Sequence, residues 1–406
     1  MMEQLLRPRW EYHDVMNVPL APHRISQLVK EGEARERGVG RSTQAIINLN
    51  AISHNIREIR KKIGNERDLM AVVKADGYGH GAVKVSLTAL NSGANCLGVA
   101  IPEEGELLRQ ARIDVPILVL GLIHPEEAYK VVHLGLEQTV CSLELAEGLD
   151  QEAKKASGQV NVHVKVDTGM GRIGVIPQDA LPFVRKIKRL ANLNLVGIFS
   201  HFSSADEGNK AFSKKQIEIF SRLIQEIEEA GIKIPKKHIA NSAGILDLPE
   251  SYYDLVRPGI MIYGLYPSAE VSQSIELRPA MTLKTKVMYV KSVPPETPVS
   301  YGRTFYTQEN AIVATLPIGY ADGYSRLLSN QGCVLIRGQR APLIGRVCMD
   351  MCMVDVSRIR DVRVGDEVIL FGEGLSVDEV ASKIGTINYE VVCGIGKRVP
   401  RIYNDE

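Results

Sequence analysis

Residues 70–81 read Met-Ala-Val-Val-Lys-Ala-Asp-Gly-Tyr-Gly-His-Gly, which sets Lys74 at the end of an apolar run and follows it with a glycine-rich turn carrying Tyr78. A strand that delivers a lysine into a loop presents an amine to a carbonyl group, while glycines and a tyrosine hydroxyl suit a phosphate. Pyridoxal 5′-phosphate carries both an aldehyde and a phosphate. By residue type alone a strand-end lysine snorkels to solvent. The reading therefore rests on the whole string and on what else the chain supplies.

Further strings follow in order, of which Asn-Ser-Ala-Gly, taken alone, is a common turn that carries little weight. They are Lys-Val-Asp-Thr-Gly-Met-Gly-Arg-Ile-Gly at 165–174, Phe-Ser-His-Phe at 199–202 and Asn-Ser-Ala-Gly at 241–244. Val-Arg-Pro-Gly-Ile-Met-Ile-Tyr-Gly stands at 256–264, Val-Ser-Tyr-Gly-Arg-Thr-Phe at 299–305 and Gly-Arg-Val-Cys-Met-Asp at 345–350. Together they resemble the motifs of bacterial alanine racemases, over about residues 43–405. The resemblance implies a fold-type III pyridoxal-phosphate enzyme that interconverts L- and D-alanine, as a homodimer, with D-alanine feeding peptidoglycan. Arg41-Ser42-Thr43-Gln44 departs from the Arg-Pro-Thr-Trp usual in that family, and Met351 stands where glutamine is common.

Inverting a stereocentre needs a proton to leave one face and return on the other, so two acid/base groups must oppose each other. The resemblance makes them Lys74, which also holds the cofactor aldehyde, and Tyr301, reaching in from the partner subunit. A free phenol with a pKa of about 10 is a poor base at neutral pH; the resemblance assigns its polarisation to His201. It places Arg257 at the pyridine nitrogen, where a permanent cation opposes ring protonation and weakens the electron sink. The phosphate falls to Tyr78, Ser242, Tyr389 and the backbone N–H groups of Gly259 and Ile260. Arg172 and the Met349 backbone are implied at the substrate carboxylate, with Asp350 beside Met349 and Tyr320 at the mouth of the site. Lys165 is implied as a possible carbamate (N6-carboxylysine), which would turn a cation into an anion and orient Arg172 by a charge-assisted pair.

Related functions share much of this set: a racemase of broader specificity or one preferring serine, a non-catalytic pyridoxal-phosphate-binding barrel, and a decarboxylase on a similar plan. The non-catalytic barrel has no use for Val-Ser-Tyr-Gly-Arg.

The elements that must position these residues alternate. Strand-like runs at 69–73, 96–100, 117–120, 138–141, 161–166, 195–200, 237–240 and 261–265 are separated by helical stretches rich in Glu, Lys, Leu and Ala. Eight strand–helix units predict a (β/α)8 barrel of the TIM type over 42–276, with an open doubly wound sheet as the alternative. From 277 to 406 the texture is mostly β, with runs at 283–293, 311–317, 333–337, 351–356 and 367–371 and a helix at 377–384. The run 43–49 is strand-like and joins the β domain if the chain doubles back. Residues 1–41 form an extension whose charged, glycine-rich part predicts flexibility.

With 406 residues and a formal net charge of +1, the chain is long enough for two cores. Its balance gives no reason to expect nucleic acid or an anionic membrane as partner. The N-terminus lacks the basic start and apolar stretch of a secretory signal, so cytoplasm is the expectation. Six cysteines without a CxxC pair or an accompanying histidine pair suggest neither a metal site nor a disulfide framework.

Overall fold

The computed structural model describes residues 40–404. The expected flexible extension lies, apart from its last two residues, outside them. Strand β1 (Gln44–Asn48) leads directly into helix α1 (Leu49–Ile63), because the Asn48 side chain accepts the Ala51 N–H and caps the helix. α1 turns Ile52, Ile56, Ile59 and Ile63 inward at helical spacing and ends in Arg60, Lys61 and Lys62, which suit the negative end of its dipole.

Eight parallel strands then form one sheet. They are β2 (Asp68–Val72), β3 (Cys96–Val99), β4 (Ile117–Val119), β5 (Glu137–Val140), β6 (Val160–Lys165), β7 (Leu193–Phe199), β8 (Lys236–His238) and β9 (Leu255–Val256), in the order β8-β7-β6-β5-β4-β3-β2-β9. The sheet nearly closes into a barrel. Across the last seam, Asp254 N–H donates to Lys237 O at 3.1 Å, Arg257 N–H to Ala240 O at 3.0 Å, and the Asp254 carboxylate accepts the Lys237 N–H at 2.8 Å. β3 and β4 are buried on both faces and read as continuous apolar runs, as parallel strands under helices do.

The eighth strand is not where the apolar pattern puts it. Residues 260–263 form a 3₁₀ turn, Ile260–Tyr263, and the last barrel strand is the shorter Leu255–Val256. All four residues of the turn are fully buried, and a short apolar run buried on every side carries no period by which strand and helix can be told apart. Pro258 and Gly259 end the strand just before it.

The rest of the chain builds β structure around β1. A six-stranded sheet runs in the order β16 (Gln339–Pro342), β15 (Cys333–Ile336), β18 (Glu367–Phe371), β10 (Met281–Lys286), β1, β19 (Arg401–Asn404), in which β1 is antiparallel to β10 and parallel to β19. The run 283–293 is two strands, not one: Val287 and Met288 turn to Asp366 and Thr315, and β11 (Tyr289–Val293) joins a second sheet with β14 (Ala311–Leu316) and β17 (Cys352–Asp355), while β12 (Pro298–Val299) and β13 (Phe305–Tyr306) pair with each other. Two short helices, Val377–Ile384 and Asn388–Cys393, precede β19 and return the chain to the barrel mouth. Among the described residues, no helix is long and apolar enough to cross a membrane.

One side chain ties the β structure to the barrel loop after β2. Arg401 donates through Nε to Gly79 O at 2.9 Å and through its other nitrogens to the carbonyls of Ile395, Gly396 and Val399 at 2.6–2.8 Å. Replacing it with methionine leaves four carbonyls short of a charged donor, each bond of this kind contributing about 1.5–3 kcal/mol. Arg401→Met is expected to lower stability by about 3 kcal/mol or more, read as a lower midpoint in equilibrium urea unfolding.

Candidate active site

A cavity of about 570 Å³ opens at the C-terminal ends of the barrel strands, the face on which barrels of this type place their chemistry. Lys74, Tyr78, Lys165, Arg172, His201, Ser242, Arg257, Gly259, Ile260 and Tyr389 all line it. Among the described residues, no aspartate or glutamate does.

Lys74 follows β2, and the chain then takes a turn of left-handed helix: Ala75 and Asp76 lie at φ 53°, Gly77 at 60°, Tyr78 at 51° and Gly79 at 80°. This hand costs about 1–2 kcal/mol for each residue with a Cβ. Hydrogen bonds from both sides hold it. Glu104 accepts Ala75 N–H at 2.6 Å and Ala100 N–H at 2.7 Å, Asp76 accepts Ala82 N–H at 2.9 Å, and Gly79 N–H reaches Ala75 O at 2.9 Å. The turn brings Tyr78, four residues on, back over the cavity that Lys74 lines. Burial, with Arg172 nearby, lowers the Lys74 pKa, so more of its amine is uncharged at neutral pH.

Arg257, just after β9, is buried and saturated with acceptors. It donates to Ser200 O at 2.8 Å, Ile239 O at 3.2 Å, His238 Nδ1 at 2.8 Å and His201 Nδ1 at 3.2 Å. Burial, reinforced by Lys165 and Arg257, holds the His201 pKa well below the usual histidine range, so His201 is neutral and accepts from Arg257. Lys165, at the end of β6, lies 4.2 Å from the centre of the Phe199 ring. Burial and the guanidiniums of Arg257 and Arg172 push its pKa well down.

The opposite corner offers donors. Ser242 Oγ accepts the Gly259 N–H at 2.9 Å, and Ile260 opens a 3₁₀ turn whose first N–H groups have no partner within the turn. At Gly259 a Cβ would stand 2.5 Å from the Tyr78 hydroxyl, so a side chain there would push Tyr78 out of place. Tyr78 packs against Tyr263 with ring centres 4.8 Å apart and against Tyr389 at 6.1 Å, and burial raises the pKa of both Tyr78 and Tyr389, keeping their hydroxyls as donors. Hydroxyls and backbone N–H groups around a gap kept clear by a glycine fit a phosphate monoester.

Tyr301 and Met349 are not brought into this cavity. Tyr301 opens a 3₁₀ turn, Tyr301–Arg303, and is 72% exposed; Met349 is 52% exposed. Tyr320 is also exposed, and Asp350 pairs with Arg398 at 2.8 Å. Sequence reading missed Phe199, Asn241 and Cys393 in the lining, and Glu104 behind the Lys74 turn. Phe199 and Asn241 lie inside strings already quoted, and only the side chain's direction decides that they face the cavity. Glu104 sits in an unmarked helix start, Pro102–Gln110, whose first-turn acids are what any helix favours.

The architecture and these strings have close counterparts. Residues 47–267 match the family model for the alanine racemase N-terminal domain and residues 280–403 that for the C-terminal domain. An alanine racemase of Desulforamulus reducens is 50% identical over 362 residues, 88% of this chain and 98% of the relative. A solved alanine racemase of Clostridium difficile superposes with a TM-score of 0.88 at 40% identity, over 91% of this chain and 98% of that one. The alanine racemase of Bacillus anthracis with bound L-Ala-P gives 0.85 at 36%, over 91% and 97%. Buried lysine and arginine side chains beside a corner of hydroxyl and N–H donors at the mouth of a parallel barrel thus occur in a chain matched by both family models and by these relatives over most of its length, and the chain belongs to the alanine racemase family.

Proposed function

We propose that the protein interconverts L- and D-alanine with pyridoxal phosphate, and that Lys74 and Tyr301 are the two opposed bases. The observation that carries the reading is the charge of the cavity: Lys74, Lys165, Arg172 and Arg257 line it and, among the described residues, no carboxylate does. Such a cavity suits a ligand set with a phosphate and a carboxylate, the anionic groups of the cofactor and of the amino acid.

When bound, pyridoxal phosphate supplies the electron sink that a free amino acid lacks for loss of its α-proton. Tyr78, Ser242, Tyr389 and the Gly259 and Ile260 N–H groups would hold the phosphate. Arg257, fixed by four acceptors, would face the ring nitrogen and keep a proton off it. Arg172 would bind the substrate carboxylate, which fixes which faces of the α-carbon meet the bases. Lys74, with its amine made available by burial, takes the proton on one face. Tyr301 returns one on the other face. Because Tyr301 is exposed within its own copy, it serves a second copy's cavity, and the working unit is a homodimer with Met349 at the same seam.

A deuterium-exchange assay on L- and D-alanine in D₂O, with pyridoxal phosphate added, tests cofactor, reaction and substrate together. Label is expected at Cα from either enantiomer with loss of optical purity. No exchange, or faster turnover of serine or lysine than of alanine, would overturn the reading.

Tyr301→Phe is expected to keep the cofactor's absorbance and lose about 10²–10⁴-fold in kcat, the usual contribution of a positioned acid or base. Mixing the inactive variants Lys74→Ala and Tyr301→Phe tests sharing between copies. A hybrid dimer has one site with both bases intact, so random exchange restores about a quarter of wild-type activity. No recovery on mixing would place both bases in one chain.

Lys165 bears on the same field. A lowered pKa leaves the amine neutral over more of the physiological range, and the neutral amine is what adds to CO₂. A carbamate there would put one negative charge among the cations and give Arg172 a partner. Protein equilibrated with ¹³C-bicarbonate is expected to show a carbamate resonance that Lys165→Ala abolishes; its absence from the wild type would show that Lys165 acts as an amine.

A further inference from the structure

Behind the cavity, inside the barrel, three side chains form a hydrogen-bonded line that ends on Arg257. Glu137, at the start of β5, has Oε2 at 3.0 Å from His163 Nε2; His163 Nδ1 lies 2.9 Å from His238 Nε2; and His238 Nδ1 lies 2.8 Å from Arg257 Nη1. His163 and His238 are both buried, on β6 and β8, strands separated by β7. They meet because the intervening residue is Gly197, where any Cβ would collide with the His163 ring. The line therefore needs a particular residue on each of the strands it crosses, and it runs from the N-terminal end of the barrel to the cavity at the other.

Its direction follows from donor chemistry. A guanidinium only donates, so His238 Nδ1 must accept and its proton must sit on Nε2. That proton goes to His163 Nδ1, which leaves the His163 proton on Nε2, facing Glu137. Both rings are then neutral and every bond points the same way, away from Arg257. An ionised carboxylate at the end is the acceptor that selects this arrangement. Burial works against ionisation of Glu137, but bonds from His163 and Asn161 and the charge of Lys236 outweigh it and hold its pKa below the usual value. Asn161 Nδ2 donates to the second oxygen at 3.0 Å.

We propose that Glu137 is a positioning residue for the reaction: acting through His163 and His238, it fixes the tautomer of His238 and with it the orientation of Arg257. If His163 turned its proton towards His238, the two rings would face each other N–H to N–H. His238 would then have to present an N–H to Arg257, donor against donor, and the guanidinium would swing away. The inference rests on the reading of Arg257 as the residue at the cofactor ring.

The test uses the holoenzyme labelled with ¹⁵N-histidine and the variants Glu137→Gln, which keeps an acceptor, and Glu137→Leu, which does not. In the unaltered protein, long-range ¹H–¹⁵N spectra are expected to show His163 and His238 as neutral Nε2–H tautomers. An Nδ1–H or doubly protonated His238 there would overturn the proposal without any variant needing to fold. Glu137→Leu is expected to change the tautomer of both rings, shift the cofactor's absorbance and lower kcat roughly tenfold with KM within about threefold, the scale seen when the outer partner of a ligating histidine is removed. Glu137→Gln should hold kcat within about threefold and keep the tautomers. Unchanged tautomers in Glu137→Leu, or changed tautomers with absorbance and kcat unmoved, would refute the relay. Arg257→Lys separates the two readings: if it leaves the absorbance unchanged, the placement of Arg257 at the ring is what fails.

Discussion

Four cationic side chains held around one partly buried cavity are the constraint under which the rest of the site is built, because like charges removed from water destabilise the fold unless each is answered. The answers differ by residue. Arg257 cannot lose its proton, so its N–H groups are spread over two carbonyls and two imidazoles. Lys74 and Lys165 can, and burial among the guanidiniums drives them in that direction. The acids nearest the mouth do not neutralise the cavity. Glu104 spends both oxygens on the N–H groups of Ala75 and Ala100, and Asp167 turns to those of Gly169, Met170 and Gly171. The cavity keeps its positive field for what binds there.

Backbone strain is placed with the same economy. The left-handed turn after Lys74 opposes the intrinsic preference of three residues with a Cβ, Ala75, Asp76 and Tyr78, yet it is the piece that sets both the Lys74 amine and the Tyr78 hydroxyl at the cavity. Glu104 and Asp76 bind it from the barrel side and Arg401 from the β side. Arg401 also gathers the carbonyls that follow the helix bearing Tyr389 and Cys393. The strain persists because hydrogen bonds from the barrel and from the β structure both hold the turn.

How far the sequence could be read follows from what each feature needs. Lys74, Arg257 and the alternation of strands were legible, since a buried parallel strand and an amphipathic helix leave different patterns and the motif strings are long. The last barrel strand was not: two residues, Leu255–Val256, make no pattern, while the more apolar 260–263 makes a misleading one. The split of 283–293 into β10 and β11 was hidden because both strands are β-like and only their partners in space differ. The line from Glu137 to Arg257 leaves no local trace at all. Its members lie on β5, β6 and β8 and just after β9, among other polar residues such as Gln138, Asn161 and Lys237, and the residue that lets them meet is a glycine with no chemistry of its own.

On the proposed reading, the two bases make opposite demands that one field satisfies. A lysine must give up its charge to act as a base, and a phenol must take one on. A positive potential favours both changes, since it disfavours ammonium and favours phenolate. The guanidiniums of Arg172 and Arg257 can therefore prepare both groups, provided the phenol is brought to them. In a single copy it is not, because Tyr301 stands in solvent outside its own cavity. Folding alone thus readies the lysine, and only the meeting of two copies readies the tyrosine. Such an enzyme has half its acid–base pair active by burial and the other half by assembly, so its rate at low concentration would follow the dimer's dissociation rather than the stability of the fold.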